Sequence, residues 1–325
     1  MDKGKKSDFN GTLKSQDTEE WLDVVFTRPI GYRWALFFNK FNVHPNVVTV
    51  LSIILGACAG VMFYFHDIVH NIIGVLLLMW ANFYDSCDGQ LARMTGKKTR
   101  LGRILDGFAG DVWFFAIYVS IVLRIYDDKI PFTDVNWGVW GFLLACLCGF
   151  VLHARQCGLA DYYRNIHLFF IKGESGSELD SSEKERALYR ETPWKGNWLW
   201  KLSLFFYARY TKGQERQTPE FQKLMQRLKN IYGGNIPQTF REKFRRCSLP
   251  LMKYANILTF NTRAIVLYIA CLLDIPWAYL LFELTVMTAL YFYMRARHES
   301  ICRHLYNELD ERLRNEIDFI CTMRL

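Results

Sequence analysis

The sequence lacks several features that would have pointed elsewhere. Its nine cysteines include no CxxC pair and follow no regular spacing, which argues against a cysteine-built framework. Cys58, Cys146, Cys148 and Cys271 fall inside apolar runs and read as small buried hydrophobes in a reducing setting. The first twenty residues, MDKGKKSDFNGTLKSQDTEE, contain no apolar core of a signal peptide, so no cleavage is expected. No internal repeat is evident. From Val47 to Phe65 there is no charged residue at all, which few soluble helices tolerate.

What is present is apolar mass in blocks. Hydrophobic residues make up 51% of the 325, and aromatics 16%. Blocks of this length read as membrane spans. The formal charge of +8 is concentrated between the blocks. Such a distribution favours an anionic membrane surface and an anionic substrate, with no nucleic-acid partner.

Four stretches follow in order. Residues 1–45 comprise a polar leader and an interfacial helix. Within 20–41, Trp21, Val24, Val25, Phe26, Trp34, Phe37 and Phe38 alternate with charges, and Pro29 and Gly31 suggest a kink. Residues 46–160 hold four spans, the first opened by Pro45. Residues 161–255 are densely charged and read as a cytoplasmic insertion of short helices, with a flexible loop near 173–182. Trp194, Trp198, Trp200, Phe205, Phe206 and Tyr207 suit either a membrane-resting face or a small core. Residues 256–325 supply two further spans and a basic closing helix over 295–314. The expected fold is therefore all-α and integral to the membrane: six transmembrane helices, an N-terminal interfacial amphipathic helix and a cytoplasmic helical insertion. Loops 66–70, 127–136 and 274–276 hold one Lys and no Arg. The positive-inside rule then puts both termini, the insertion and the acidic stretch described next in the cytoplasm. A bacterial inner membrane is the expected setting.

The stretch 85–111 reads DSCDGQLARMTGKKTRLGRILDGFAGD. Carboxylates this close to hydrocarbon are costly and are expected to face a cavity and bind something. Asp85 and Asp88 share a helix face, and Asp106 enters from the next helix across a turn at Gly96. Converging carboxylates form a hard oxygen site suited to two Mg²⁺ or Mn²⁺ ions and to a diphosphate. Gly89 and Gly102 leave room for a ligand beside the backbone. Arg93 and the basic run Lys97, Lys98, Arg100 and Arg103 offer positive charge. The competing reading has these charges capping and stapling two helix ends.

The pattern Asp85-x2-Asp88-Gly89-x2-Ala92-Arg93-x8-Gly102-x3-Asp106 resembles the signature of the CDP-alcohol phosphotransferases, membrane enzymes of phospholipid synthesis. The Pro45-Asn46-x2-Thr49 entry to the first span fits as well. The resemblance covers roughly residues 20–160 and 256–297. It implies attack by an acceptor hydroxyl on a CDP-linked alcohol, with release of CMP. It also implies that Asp85, Asp88 and Asp106 hold metal, that Asp106 belongs to the catalytic set, and that Gly89, Ala92, Arg93 and Gly102, with Asp85 and Asp88, line the CDP site. A homodimer is the expected assembly. The family's last carboxylate, a metal contact and the general base, falls four residues after the third. Here that position is Gly110, and the carboxylate comes one later, at Asp111. A π-bulge near residues 107–110 would bring Asp111 into the site as metal ligand and base.

Six spans favour CDP-diacylglycerol as donor and a polar alcohol as acceptor. His153-Ala154-Arg155-Gln156-Cys157-Gly158-Leu159 resembles the KARAEGLG-type segment of inositol-phosphate and glycerol-phosphate phosphatidyltransferases, with His in place of Lys and Cys157 in place of Glu. Arg155 and Arg263 are candidates for an acceptor phosphate pocket, or else snorkelling arginines. Inositol phosphate is the first-choice acceptor and glycerol phosphate the second. CDP-choline or CDP-ethanolamine meeting a lipid alcohol, and a transporter, are the alternatives. His153 reads as interfacial, and Glu283 as a packing or dimer contact.

Overall fold

The computed structural model describes residues 15, 17–97, 99–173, 176–177 and 179–323. Most of the polar leader, Lys98 of the basic run and part of the 173–182 loop lie outside the described residues. Among those described, the chain is helical without a strand. Six helical stretches are long and apolar enough to cross a membrane: Pro45–Met62, Ile68–Thr95, Leu101–Ile125, Gly138–Lys172, Gln238–Leu272 and Trp277–Glu311. The protein is a multi-pass integral membrane protein.

The chain divides into two compact units. The first contains residues 1–156 and 259–288. Its opening helix α1 (Arg28–Lys40) follows a π-turn over Asp23–Thr27, with Pro29 in the first helical turn. The irregularity expected at Pro29 and Gly31 thus falls just before them. Pro is tolerated at a helix start, so the strain is taken up by the turn that precedes it. Gly31 serves packing instead. A Cβ there would lie 2.9 Å from Ser86 Oγ and 3.2 Å from the Cys87 amide nitrogen. Trp21, Val25, Phe26, Phe37 and Phe41 remain exposed, an apolar face fit for a membrane interface.

Helix α2 (Pro45–Met62) starts at His44, whose Nδ1 accepts from the Asn46 amide. Helix α3 (Ile68–Thr95) is capped by Asp67, whose carboxylate accepts from the His70 amide at 3.1 Å. Gly96, at φ +70°, makes the left-handed turn out of α3. Thr99 then caps α4 (Arg100–Ile125) by accepting from the Gly102 amide at 3.0 Å. Gly56 and Gly60 let α4 press against α2, since a Cβ at either would overlap Trp113 or Ala116. Around that contact Phe63, Leu78, Ile117, Ile121, Leu267 and Tyr279 form the core. At the end of α4, buried Arg124 donates to Phe63 O, Asn71 Oδ1, Cys271 O and Asp274 Oδ1. Helices α5 (Gly138–Cys146), α11 (Phe260–Leu272) and α12 (Trp277–Phe282) complete the unit.

The second unit contains residues 157–258 and 289–325. It holds most of α6 (Ala154–Lys172), α7 (Ser182–Glu191), α8 (Trp198–Gln217), α9 (Pro219–Tyr232), α10 (Gln238–Ile257) and most of α13 (Thr288–Met323). The last is one unbroken helix, so the sixth span and the closing helix expected at 295–314 are continuous. No Pro or Gly interrupts that sequence to separate them. Phe221, Leu224 and Leu228 form the buried stripe of α9, and Phe170 stacks on Phe244 at 3.8 Å. Helix α8 buries Leu204 and Ala208 but exposes Trp198, Leu199, Leu202 and Phe206.

Candidate active site

Two helices and the turn between them present the acidic stretch. Asp85 and Asp88 project from the last turns of α3, and Asp106 from the second turn of α4. One carboxylate oxygen from each lies within 4.8 Å of the others. Asp88 is buried, Asp85 half-buried and Asp106 exposed, so the group opens to one side. Three like charges at this spacing repel strongly in a medium of low polarity. A hard oxygen set of this kind fits Mg²⁺ or Mn²⁺.

Neighbouring helices supply the rest of the surroundings. Thr49 on α2 donates a 2.5 Å hydrogen bond to Asp88 Oδ2. The Arg93 guanidinium acts electrostatically on Asp88, and Arg28 of α1 acts on Asp85. Gln90 anchors α1 through Nε2, which donates to Arg28 O at 3.0 Å. A Cβ on Gly89 would sit 3.3 Å from an Arg93 guanidinium nitrogen, so that glycine makes room for the arginine to lie along α3. A Cβ on Gly102 would sit 2.9 Å from Asn46 Oδ1, so the second glycine admits the first turn of α2.

Asp111 does not join the three carboxylates. Helix α4 keeps α-helical geometry through residues 107–110, and the expected π-bulge is absent. A Cβ on Gly107 or Gly110 would meet nothing within 4 Å, so this side of α4 is open. On a regular helix Asp111 then lies about 140° around from Asp106. It is exposed and within electrostatic range of His153.

Two further π-turns occur over Leu147–His153 and Glu283–Met287. They bracket a second polar cluster. Arg263 and Glu283 are both fully buried and form an ion pair. Glu283 also accepts from Tyr118 and, at 2.7 Å, from Tyr279. His153 Nδ1 lies 3.3 Å from Glu283 Oε1. Arg263 Nη2 donates to Gln156 Oε1 at 2.5 Å, and Gln156 Nε2 donates to Thr288 Oγ1. Thr288 Oγ1 in turn donates to the Glu283 carbonyl at 3.0 Å. His153 is thus buried and not interfacial, because Glu283 and Tyr118 provide polar partners inside the core. Glu283 is a packing contact within this chain. Arg155 is exposed, whereas the Arg263 charge is taken up internally.

Residues 42–167 match the family model for CDP-alcohol phosphatidyltransferase. That segment is similar to the CDP-alcohol phosphatidyltransferase family. An uncharacterized protein of Aquifex aeolicus (strain VF5) is 32% identical over 126 residues, covering 38% of this chain and 56% of that protein. The chain therefore matches little more than half the length of that curated relative. The CDP-alcohol phosphatidyltransferase segment contains Asn46, Thr49, all of the carboxylate group, Asp111 and Arg155. Arg263 and Glu283 lie beyond it. Members of the family are transferases of substituted phosphate groups, and divalent metal use is a family property in keeping with the three carboxylates. Thr49 and Asn46 are the site neighbours that sequence reasoning left unassigned. Their signal was the Pro45-Asn46-x2-Thr49 entry, which puts Asn46 and Thr49 on one face of α2.

Proposed function

We propose that this protein transfers a phosphatidyl group from CDP-diacylglycerol to a phosphorylated polyol, with inositol phosphate the first choice, and releases CMP. The observation that carries the reading is the convergence of Asp85, Asp88 and Asp106 within the family segment. In this reading Asp85, Asp88 and Asp106 hold the divalent ions, which when bound would neutralise the diphosphate and the leaving oxygen. Thr49 orients Asp88. Arg93 binds the diphosphate, with Gly89, Ala92 and Gly102 lining the donor site beside it.

The acceptor hydroxyl attacks the phosphorus that carries the diacylglycerol. A new P–O bond forms, the bond to the bridging diphosphate oxygen breaks, and CMP departs with that oxygen. The hydroxyl proton passes to Asp111. The role rests on the family resemblance alone, since the regular α4 leaves Asp111 outside the carboxylate group. Arg155 takes the acceptor phosphate directly. Arg263 acts from beneath as a positioning residue, holding Gln156 and Glu283. The site faces the cytoplasm, where phosphorylated polyols are soluble, while the acyl chains of the donor stay in the bilayer, and the protein functions as a homodimer.

The test is CMP release by full-length protein in membranes, with CDP-diacylglycerol and a panel of phosphorylated polyols. Metal-dependent CMP release with inositol phosphate, absent in Asp88→Asn, is the expected result. Turnover with CDP-choline or CDP-ethanolamine and a lipid alcohol instead would overturn the donor assignment.

A further inference from the structure

We propose that the second unit binds a divalent ion of the zinc type through His298, Glu299 and Cys302, independently of the transfer reaction. These residues lie on α13 in the order His-Glu-x-x-Cys. His298 and Cys302, four apart, share a helix face, and His298 Nδ1 lies 3.6 Å from Cys302 Sγ. Glu299 Oε1 lies 3.6 Å from the same nitrogen, and the three ligand atoms fall within 4.8 Å of one another. With Zn–N near 2.0–2.1 Å and Zn–S near 2.3 Å, adjacent ligands of a tetrahedral ion lie roughly 3.3–3.6 Å apart. Both measured separations match the edges of such a tetrahedron.

A second observation concerns the groups left without partners. Glu299 is nine-tenths buried, and its Oε1 has no hydrogen-bond partner among the described residues. Its other oxygen accepts from the Glu220 amide at 2.7 Å, which orients the carboxylate as an outer partner orients a ligand. The Tyr163 ring stacks on His298 at 3.9 Å, and its buried hydroxyl also has no partner. A plain thiol–imidazole hydrogen bond would leave both oxygens unanswered, at a real cost in free energy. A dication answers the carboxylate oxygen. Thiolate and carboxylate together contribute two negative charges, so the occupied site is neutral, with Tyr163 or water in the fourth position. Imidazole and thiolate select a softer ion than the three aspartates would hold.

Cobalt(II) is a suitable probe because thiolate ligation gives it a near-ultraviolet charge-transfer band. Full-length protein in detergent should bind cobalt with that band, unchanged in Asp88→Asn, and zinc should displace it. Cys302→Ser and His298→Gln should abolish the band. Glu299→Gln still accepts from the Glu220 amide and so keeps that packing contact, yet should weaken cobalt binding by at least roughly tenfold. No band in the wild-type protein, a band surviving Cys302→Ser, or unchanged affinity in Glu299→Gln would each overturn the proposal.

Discussion

The Thr49 hydroxyl donates its hydrogen bond to Asp88 Oδ2 across 2.5 Å, from one membrane helix to the next. Thr49 stands one turn into α2, and Asp88 is buried two turns from the end of α3. The bond ties the orientation of a carboxylate to the packing of α2 on α3. Gly31 and Gly102 tighten the same region, one by admitting α1 to Ser86 and the other by admitting Asn46.

Thr49→Val keeps the volume and removes the donor. We expect apparent affinity for the divalent ion to fall roughly 10–100-fold in CMP release, with Thr49→Ser retaining most of it. An unchanged metal titration in the valine variant would separate Thr49 from the site.

Asp88→Asn removes a charge from the three-carboxylate group. CMP release should drop to background at any concentration of magnesium or manganese. Chelation of wild-type protein should have the same effect, and restoring metal should reverse it.

For Asp111→Asn the expected loss is in kcat, by about 10²–10⁴-fold, with the donor KM little changed. Wild-type turnover in this variant would remove Asp111 as the base.

Glu283→Gln would leave the fully buried Arg263 without its counter-charge. Stability should fall by about 3–5 kcal/mol, read as thermal unfolding in detergent. The double variant Glu283→Gln with Arg263→Met should lose less than the single one, because no charge is stranded. Equal losses in the two would show that the pair is not coupled.

Gly31→Leu places a side chain where Ser86 and the Cys87 backbone already sit. A destabilisation of about 1–3 kcal/mol is expected. CMP release should fall with it, because α1 is displaced beside Asp85 and Asp88. Gly107→Ala, facing open space, should do neither.

Much of this protein was legible in the order of its residues. Uncharged runs such as 47–65 specify spans because hydrocarbon excludes charge, and Asp85-x2-Asp88 with Gly102-x3-Asp106 specifies a carboxylate site by helical spacing alone. The arrangement of helices decided the rest. Whether Asp111 comes round to Asp106 depends on a local widening of α4, and α4 stays a regular α-helix through residues 107–110. Arg263 and Glu283 are twenty residues apart in sequence, and His153 is more than a hundred from either, so no periodicity joins them. They meet because membrane interiors force buried charges to find each other. Composition and short-range spacing determined where the chain crosses the membrane and which carboxylates gather. Only tertiary packing decided which charges answer one another and which remain open to a ligand.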